Sequence, residues 1–444
     1  MTARWLVLAI LCAACGDNLH RPDDDPFTAV SGSRLALQRY RFDDGTEQVS
    51  ATELYDTVAH SRCRPLPWTD GAMRCVPVAD DAQFSDAGCT ALVGVARTIA
   101  RPTYFVVYDG PPAGGVVVRV VRAGAPTAAV TQTYALSQGA CIGPTPIAPG
   151  PATFFAIGDE VNRTDLVAFH DDDLGVGRLG LVVRAADDGA RVLSGLRDRE
   201  LGAACVPGAQ GDGSVACEPV GAPAASLFRD AACSEPMIAI AATEVPAIAR
   251  LTEPSGCASY RRVGSEVAPP VYHRDGDACR PVDAPVGGRL FAVEEPVALP
   301  ALDRALEDVP GRRLQRIVLG HGELRFVDDR LFDTGTGAAC RPRAVRDTVR
   351  CLPTNLPAAI TLYVGGCSTQ IRVVEVAQRA CEPVGFATTN RPFQVRAIGD
   401  RITDPVFRLE ACQPYVGPPG TEIRALGPAL DLATFPGAIY FSDR

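Results

Sequence analysis

Lysine is absent from this chain: all 43 basic side chains are arginine, set against 52 acidic residues and five histidines, for a formal net charge of −9. No basic run occurs, which argues against a nucleic-acid partner, because phosphate binding is driven by clustered cations. With Ala, Gly, Val and Pro abundant, the all-arginine usage reads as the coding bias of a GC-rich bacterial genome. Catalytic signatures are missing as well: there is no G-x-S-x-G elbow, no Walker sequence and no H-E-x-x-H. No C-x-x-C stands outside the leader, and none of the five histidines is paired at ligand spacing, so zinc-type ligation is poorly supported. Helical pattern is scarce too, with 37 prolines and 42 glycines punctuating the chain, and only Leu302 to Val309 reads as a helix.

Cysteine, by contrast, is plentiful, with 16 copies, and the N-terminus explains why. Arg4 precedes an apolar stretch from Trp5 to Leu11, too short to span a bilayer, followed by the small residues of Cys12-Ala13-Ala14-Cys15-Gly16. This arrangement resembles a bacterial lipoprotein lipobox, with Cys12 where that pattern prefers Leu. The resemblance implies a signal peptide at 1–14 and lipidation of Cys15. Gly16 in place of Asp favours the outer membrane. Residues 15–32, with Asp23-Asp24-Asp25, read as a flexible tether. Removing Cys12 and Cys15 leaves an even set, Cys63, Cys75, Cys89, Cys141, Cys205, Cys217, Cys233, Cys257, Cys279, Cys340, Cys351, Cys367, Cys381 and Cys412, suited to complete pairing in an oxidising compartment.

Repetition organises the remainder. Leu37 to Pro65 recurs without a gap as Leu314 to Pro342, sharing Leu-Gln-Arg, Gly45 with Gly322, Asp56-Thr57 with Asp333-Thr334, and Cys63-Arg64-Pro65 with Cys340-Arg341-Pro342. A third copy carries Asp198, Cys205, Cys217 and Cys233. In each copy an Asp (56, 198, 333) precedes the first cysteine by seven residues. Weaker copies keep Cys141, Cys279 and Cys412; Tyr134 and Tyr272 precede the first two, and Pro405 holds that place in the last. The reading is six units of about seventy residues, in pairs near 33–162, 163–300 and 301–444, forming one repeat domain.

Runs such as Tyr104 to Tyr108, Val116 to Val121 and Ile360 to Val364 are β-branched or aromatic, and Asp-Gly turns separate them. The fold expectation is all-β: a six-bladed β-propeller built from three double-blade repeats, with two or three tandem β-sandwich or barrel domains as the alternative. Ala438 to Phe441 is expected to close the ring by pairing near Arg34 to Phe42, hiding two open edges.

Cys-x-Pro occurs nine times, and proline fixes a strand end that aims each cysteine, so the fourteen are expected in disulfides that staple rim loops. Either Cys63 pairs with Cys75, or Cys75 with Cys89; local pairs are preferred, and Cys257 and Cys381 lack counterparts. The run His170-Asp171-Asp172-Asp173 has hard oxygen ligands for Ca²⁺ but not EF-hand spacing, and reads as a solvated turn. Asp56, Asp198 and Asp333, like Asp86 and Asp230, recur by position, so a shared structural duty such as capping a turn outweighs catalysis. His321, between two glycines, reads as a turn residue at the place of Asp44.

The pieces Leu54-Tyr55-Asp56-Thr57, Arg74-Cys75-Val76-Pro77 and Phe84-Ser85-Asp86-Ala87-Gly88-Cys89-Thr90 resemble a family of uncharacterised Cys-rich repeat lipoproteins of GC-rich diderm bacteria. That resemblance implies export and repetition, and carries no activity. The functional expectation is a lipid-anchored binding or scaffold protein for a protein or glycan, without cofactor and with no assigned catalytic residue. The alternatives are a propeller-type hydrolase or lyase acting on sugars or lactones, and a structural envelope component.

Overall fold

The computed structural model describes residues 27–443 apart from short stretches at 97–100, 112–113, 148–151, 241–244, 253–256, 276–277, 285–286, 346, 378–380, 382–383, 391, 410–411, 416 and 418–420. The leader, Cys15 and most of the tether therefore lie outside the described residues. Among the described residues the named elements are strands, with single turns of 3₁₀ helix at Arg163–Asp165 and Leu432–Thr434. The all-β expectation holds.

Fifteen strands form a closed ring in three segments of five. One segment contains Ala168–Leu174, Leu179–Ala186, Arg191–Asp198, Ala203–Ala209 and Val215–Pro219, and another runs through five strands from Ala301–Glu307 to Thr348–Pro353. The remaining segment joins chain ends: Leu35–Phe42, Glu47–Asp56, Ser61–Pro67 and Met73–Pro77 are completed by the last strand, Gly437–Ser442. That strand pairs Gln38 to Phe42 with Ser442 to Ala438 on one side and Val349 and Arg350 on the other, so the expected closure is present.

All fifteen neighbouring pairs are antiparallel. An odd number of reversals cannot return straight strands of an up-and-down barrel to their starting direction. Strand direction must therefore turn through a net half-revolution around the ring. Each segment's long hairpin carries a register shift, at Leu37/Arg39, Val182/Val183 and Arg316/Val318, where bulges sharpen local twist.

Between ring segments the chain makes three outlying lobes, at Asp80–Glu160, Leu227–Pro296 and Ile360–Ala429, each a seven-stranded sheet. Counting strands along the chain within a lobe, the spatial order is 6-5-1-2-7-4-3 in all three. The six expected units are thus two kinds of element alternating three times. These pairings match a barrel arrangement, rather than six four-stranded blades. Leu302 to Val309 is not a helix: Ala301–Glu307 is a ring strand with Asp303 to Glu307 opposite Gly320 to Arg316. Ring closure decides its conformation against its local pattern.

The ring has three cores, one at each junction between segments. Leu35, Leu37 and Leu54 pack on Val167, Phe169 and Val192; Leu179, Leu181 and Leu196 on Leu302, Ile317 and Phe326; Leu314 and Leu331 on Phe42. Burial of such aliphatic side chains, each worth roughly 1.5–3 kcal/mol, joins the segments. Each junction also holds a disulfide: Cys63–Cys75, Cys205–Cys217 and Cys340–Cys351, all at most 1 % exposed. These three are core elements, contrary to the expected rim staples.

Candidate functional site

Asp56, Asp198 and Asp333 end the second strand of each long hairpin and are buried, at 1 %, 0 % and 0 % exposure. A charge cannot stay there without partners, and each Asp meets an arginine that begins the same hairpin. Arg34 donates to Asp56 through Nε at 2.8 Å and Nη2 at 2.6 Å. Arg178 donates to Asp198 at 3.1 and 2.8 Å, and Arg313 to Asp333 at 2.6 and 2.7 Å. The same carboxylates accept backbone N–H groups from the following turn: Val58 and Ala59, Glu200 and Leu201, and Gly335. Each arginine also reaches a carbonyl just before a neighbouring ring strand: Asp165, Ala298 and Thr434. Burial pushes the Asp56 carboxyl up, but Arg34 and the Ala59 and Val58 amides outweigh it and hold the group below its ordinary value. The recurring Asp is a turn cap and a segment clamp.

A second set of bonds links hairpin turns to the next segment. Asp188 Oδ2 accepts from Arg34 and Leu35 N–H, and Asp44 Oδ2 from Leu314 N–H. At His321 this acceptor is missing, and Nδ1 instead faces the Ala301 carbonyl at 2.8 Å. Near the same hairpin the start of the described chain enters: Phe27 N–H donates to the Arg325 carbonyl, and Val30 exchanges both backbone bonds with Arg191.

The lobes are pinned alike. Phe84 lies opposite Tyr134, Phe228 opposite Tyr272, and Tyr363 opposite Phe407. Beyond these pairs stand Cys89–Cys141, Cys233–Cys279 and Cys367–Cys412. Phe407, not Pro405, is the third counterpart, because the hairpin before Cys412 is shorter. Asp86 accepts from the Thr90 and Ala91 amides and Asp230 from those of Ser234 and Glu235, closing the turns that carry Cys89 and Cys233. The seventh disulfide, Cys257–Cys381, joins the second lobe to the third. Cys75 does not pair with Cys89, and the longer pairs stay inside single lobes except this last.

His170, Asp171, Asp172 and Asp173 lie on the strand Ala168–Leu174, where a turn was expected. Side chains alternate across a strand, so Asp171 pairs with Arg184 at 2.8 Å and Asp173 with Arg199 at 2.6 Å. Among the described residues no group of three or more His, Cys, Asp or Glu is placed to hold a metal ion. Gly175-Val176-Gly177-Arg178-Leu179-Gly180 has the letters of a dinucleotide-binding glycine pattern, but it joins two antiparallel strands and opens no helix, so it lacks the phosphate-binding context.

The ring encloses a cavity of about 190 Å³ that sequence reading did not find. Its walls are the second hairpin strands of all three segments, Glu47 to Ser50, Val192 and Leu193, and Val327 to Asp329, closed by Phe27 to Ala29. Its charged groups are already paired. Arg39 meets Asp443 at 2.5 Å, Glu47 meets Arg41 at 2.7 Å, Asp328 meets Arg330 at 2.6 Å and Asp329 meets Arg341 at 2.7 Å, with Arg316 and Glu307 at 3.8 Å. Asp328 is 5 % exposed; burial raises its pKa, yet Arg330 holds it below the ordinary range. Gln48, 7 % exposed, donates through Nε2 to the Asp329 carbonyl, while its Oε1 has no partner. The larger opening, about 430 Å³ between ring and the second and third lobes, lies beside Cys381.

Ring, lobes and seven disulfides define a disulfide-stapled all-β protein, of the kind found in oxidising extracellular or periplasmic compartments. Among the described residues no helix is long and apolar enough to cross a membrane. The chain belongs to DUF7481, a family of unknown function, which matches residues 6–435. No curated protein and no solved structure matches it.

Proposed function

We propose that this is an exported protein, lipid-anchored at Cys15 and held in the cell envelope, that binds a ligand in the ring cavity and uses the lobes as a scaffold. The observation that carries binding is the cavity itself: three ring segments and the first described residues converge on one partly open space. Its carboxylates each have an arginine partner, although burial and the neighbouring Asp328 push the Asp329 carboxyl up. Export is supported by the leader, by the resemblance to envelope lipoproteins, and by the seven disulfides. The test is mass spectrometry of the chain expressed in a diderm host with its own leader. A diacyl or triacyl mass on a peptide beginning at Cys15, recovery in the outer-membrane fraction and no alkylatable thiol are expected. An unlipidated chain in the soluble fraction would refute the anchor, and several free thiols would refute the oxidising compartment.

A further inference from the structure

Resting on the binding reading above, we propose that the ring cavity takes a small monocarboxylate with an apolar body, and that Arg316 is the residue that binds its carboxylate. The three long hairpins differ at this position. The third residue after each clamp arginine is Leu37, Leu181 and Arg316, and each stands opposite a leucine: Leu54, Leu196 and Leu331. Leu37 and Leu181 are core residues, 1 % and 5 % exposed. Arg316 instead lines the cavity, with 43 % of its side chain exposed, so a ligand can reach it. Packing alone asks for a third leucine there, and the cation needs another explanation.

Arg316 is also the least committed cation of the cavity. Its ionic contact is Glu307 at 3.8 Å, beyond the hydrogen-bond length of a charged pair, and the two side chains are 43 % and 40 % exposed. Such a pair contributes little. Among the described residues the guanidinium donates no hydrogen bond, so its planar fork can meet a carboxylate through two parallel N–H groups. Arg39, by contrast, already donates to Asp443 at 2.5 Å. Glu47, Asp328 and Asp329 are held by Arg41, Arg330 and Arg341 at 2.6 to 2.7 Å, which leaves no carboxylate for a ligand ammonium. One available cation beside three paired carboxylates admits a single negative charge, and the ligand takes the place of Glu307. The partly buried Val49, Leu193 and Val327 meet its apolar body. About 190 Å³ is the space of roughly six waters, which limits that body to a single small ring or short chain.

Benzoate, with benzamide as the uncharged isostere, tests this by ligand-observed NMR titration of the disulfide-intact protein. Benzoate is expected to bind saturably and more tightly than benzamide, and Arg316→Gln to cut that preference about tenfold or more, the size of a charged hydrogen bond. Glu307→Gln, which removes the competing carboxylate, is expected to tighten benzoate about twofold to fivefold. Val49→Phe, which fills the cavity, is expected to abolish binding of both, and it keeps the test decisive if Arg316→Gln fails to fold. An unchanged preference in Arg316→Gln overturns the proposal. So do weaker benzoate binding in Glu307→Gln, benzoate binding that survives Val49→Phe, and a wild type that binds neither compound. The outcomes separate from the reading above: benzoate and benzamide bound alike refute only the carboxylate assignment, and lipid on Cys15 is scored by mass spectrometry whatever the titration shows.

Discussion

Replacing Asp56 tests the claim that buried Asp–Arg clamps join the ring. Asp56 accepts four bonds, from Arg34 Nε and Nη2 and from the Val58 and Ala59 amides, at 2.6 to 3.0 Å. Asn keeps Oδ1 for the two amides but opposes an N–H to Arg34 Nη2. Its cost is therefore that of the charged pair alone, about 2–3 kcal/mol. Ala removes cap and pair together, about 3–5 kcal/mol. The exposed pair Asp171–Arg184 is the control, because such pairs contribute about 0–1 kcal/mol. Native-state hydrogen exchange of amides in Leu35–Phe42 and Glu47–Asp56 reads the local opening free energy directly. With about 1.4 kcal/mol per tenfold, Asp56→Ala should speed exchange there by roughly 100-fold or more, and Asp171→Ala by less than tenfold. Because the folded Asp56 pKa lies below its ordinary 3.8, the clamp's stabilisation is present above that value and is lost as pH falls through the folded pKa. The gap between wild type and Asp56→Asn should accordingly shrink below about pH 4. Equal effects at Asp56 and Asp171, or a gap that does not change with pH, would refute the reasoning.

Deleting residues 437–444 removes the closing strand and bares the edges at Leu35–Phe42 and Thr348–Pro353; size-exclusion chromatography should show self-association, and a stable monomer would count against closure. Paired Cys257→Ser and Cys381→Ser substitutions should leave each lobe folded while scattering profiles broaden, since that disulfide covalently joins the second and third lobes; exchange rising inside Ala258–Glu266 as much as at the lobe boundary would contradict this. Tyr260, 4 % exposed beside Glu218, has its pKa pushed up to about 12 by burial and that carboxylate. Ultraviolet titration should therefore find one tyrosine ionising near pH 12, with the associated stability lost between about pH 10 and 12; Tyr260→Phe should remove that step, and its persistence would refute the assignment.

Much of the architecture was legible in the sequence, for definable reasons. Asp-Gly turns between β-branched runs impose hairpins, and the constant interval from Asp56 to Cys63 reflects one turn and one register, repeated at Asp198 and Asp333. The closing strand was visible because Ala438 to Phe441 is an apolar run with no other partner nearby in the chain. What failed was inference about pairing over distance. Pro405 kept the sequence spacing of Tyr134, but register chose Phe407, and spacing cannot register a hairpin shortened before Cys412. Leu302 to Val309 looked helical because its leucines stand four apart, a local signal overruled by the strands on either side. The acid run at His170 reads as a turn because uniform polarity hides the alternation that sets Asp171 and Asp173 on one face of the strand and His170 and Asp172 on the other. The ring cavity gave no signal at all: it arises only where three hairpins, far apart in sequence, line the same space.

The last strand lies beside the first, Gln38 opposite Ser442, and this sets the order of events during synthesis. Each lobe completes its sheet within one local stretch of chain, whereas the ring waits for the final residues to emerge. At about 5–20 residues per second, translation takes tens of seconds, and throughout that time the N-terminal hairpin has an open flank. The lobes, whose pairings are local, can form without the last strand, while the ring stays open until Gly437–Ser442 reaches Leu35–Phe42.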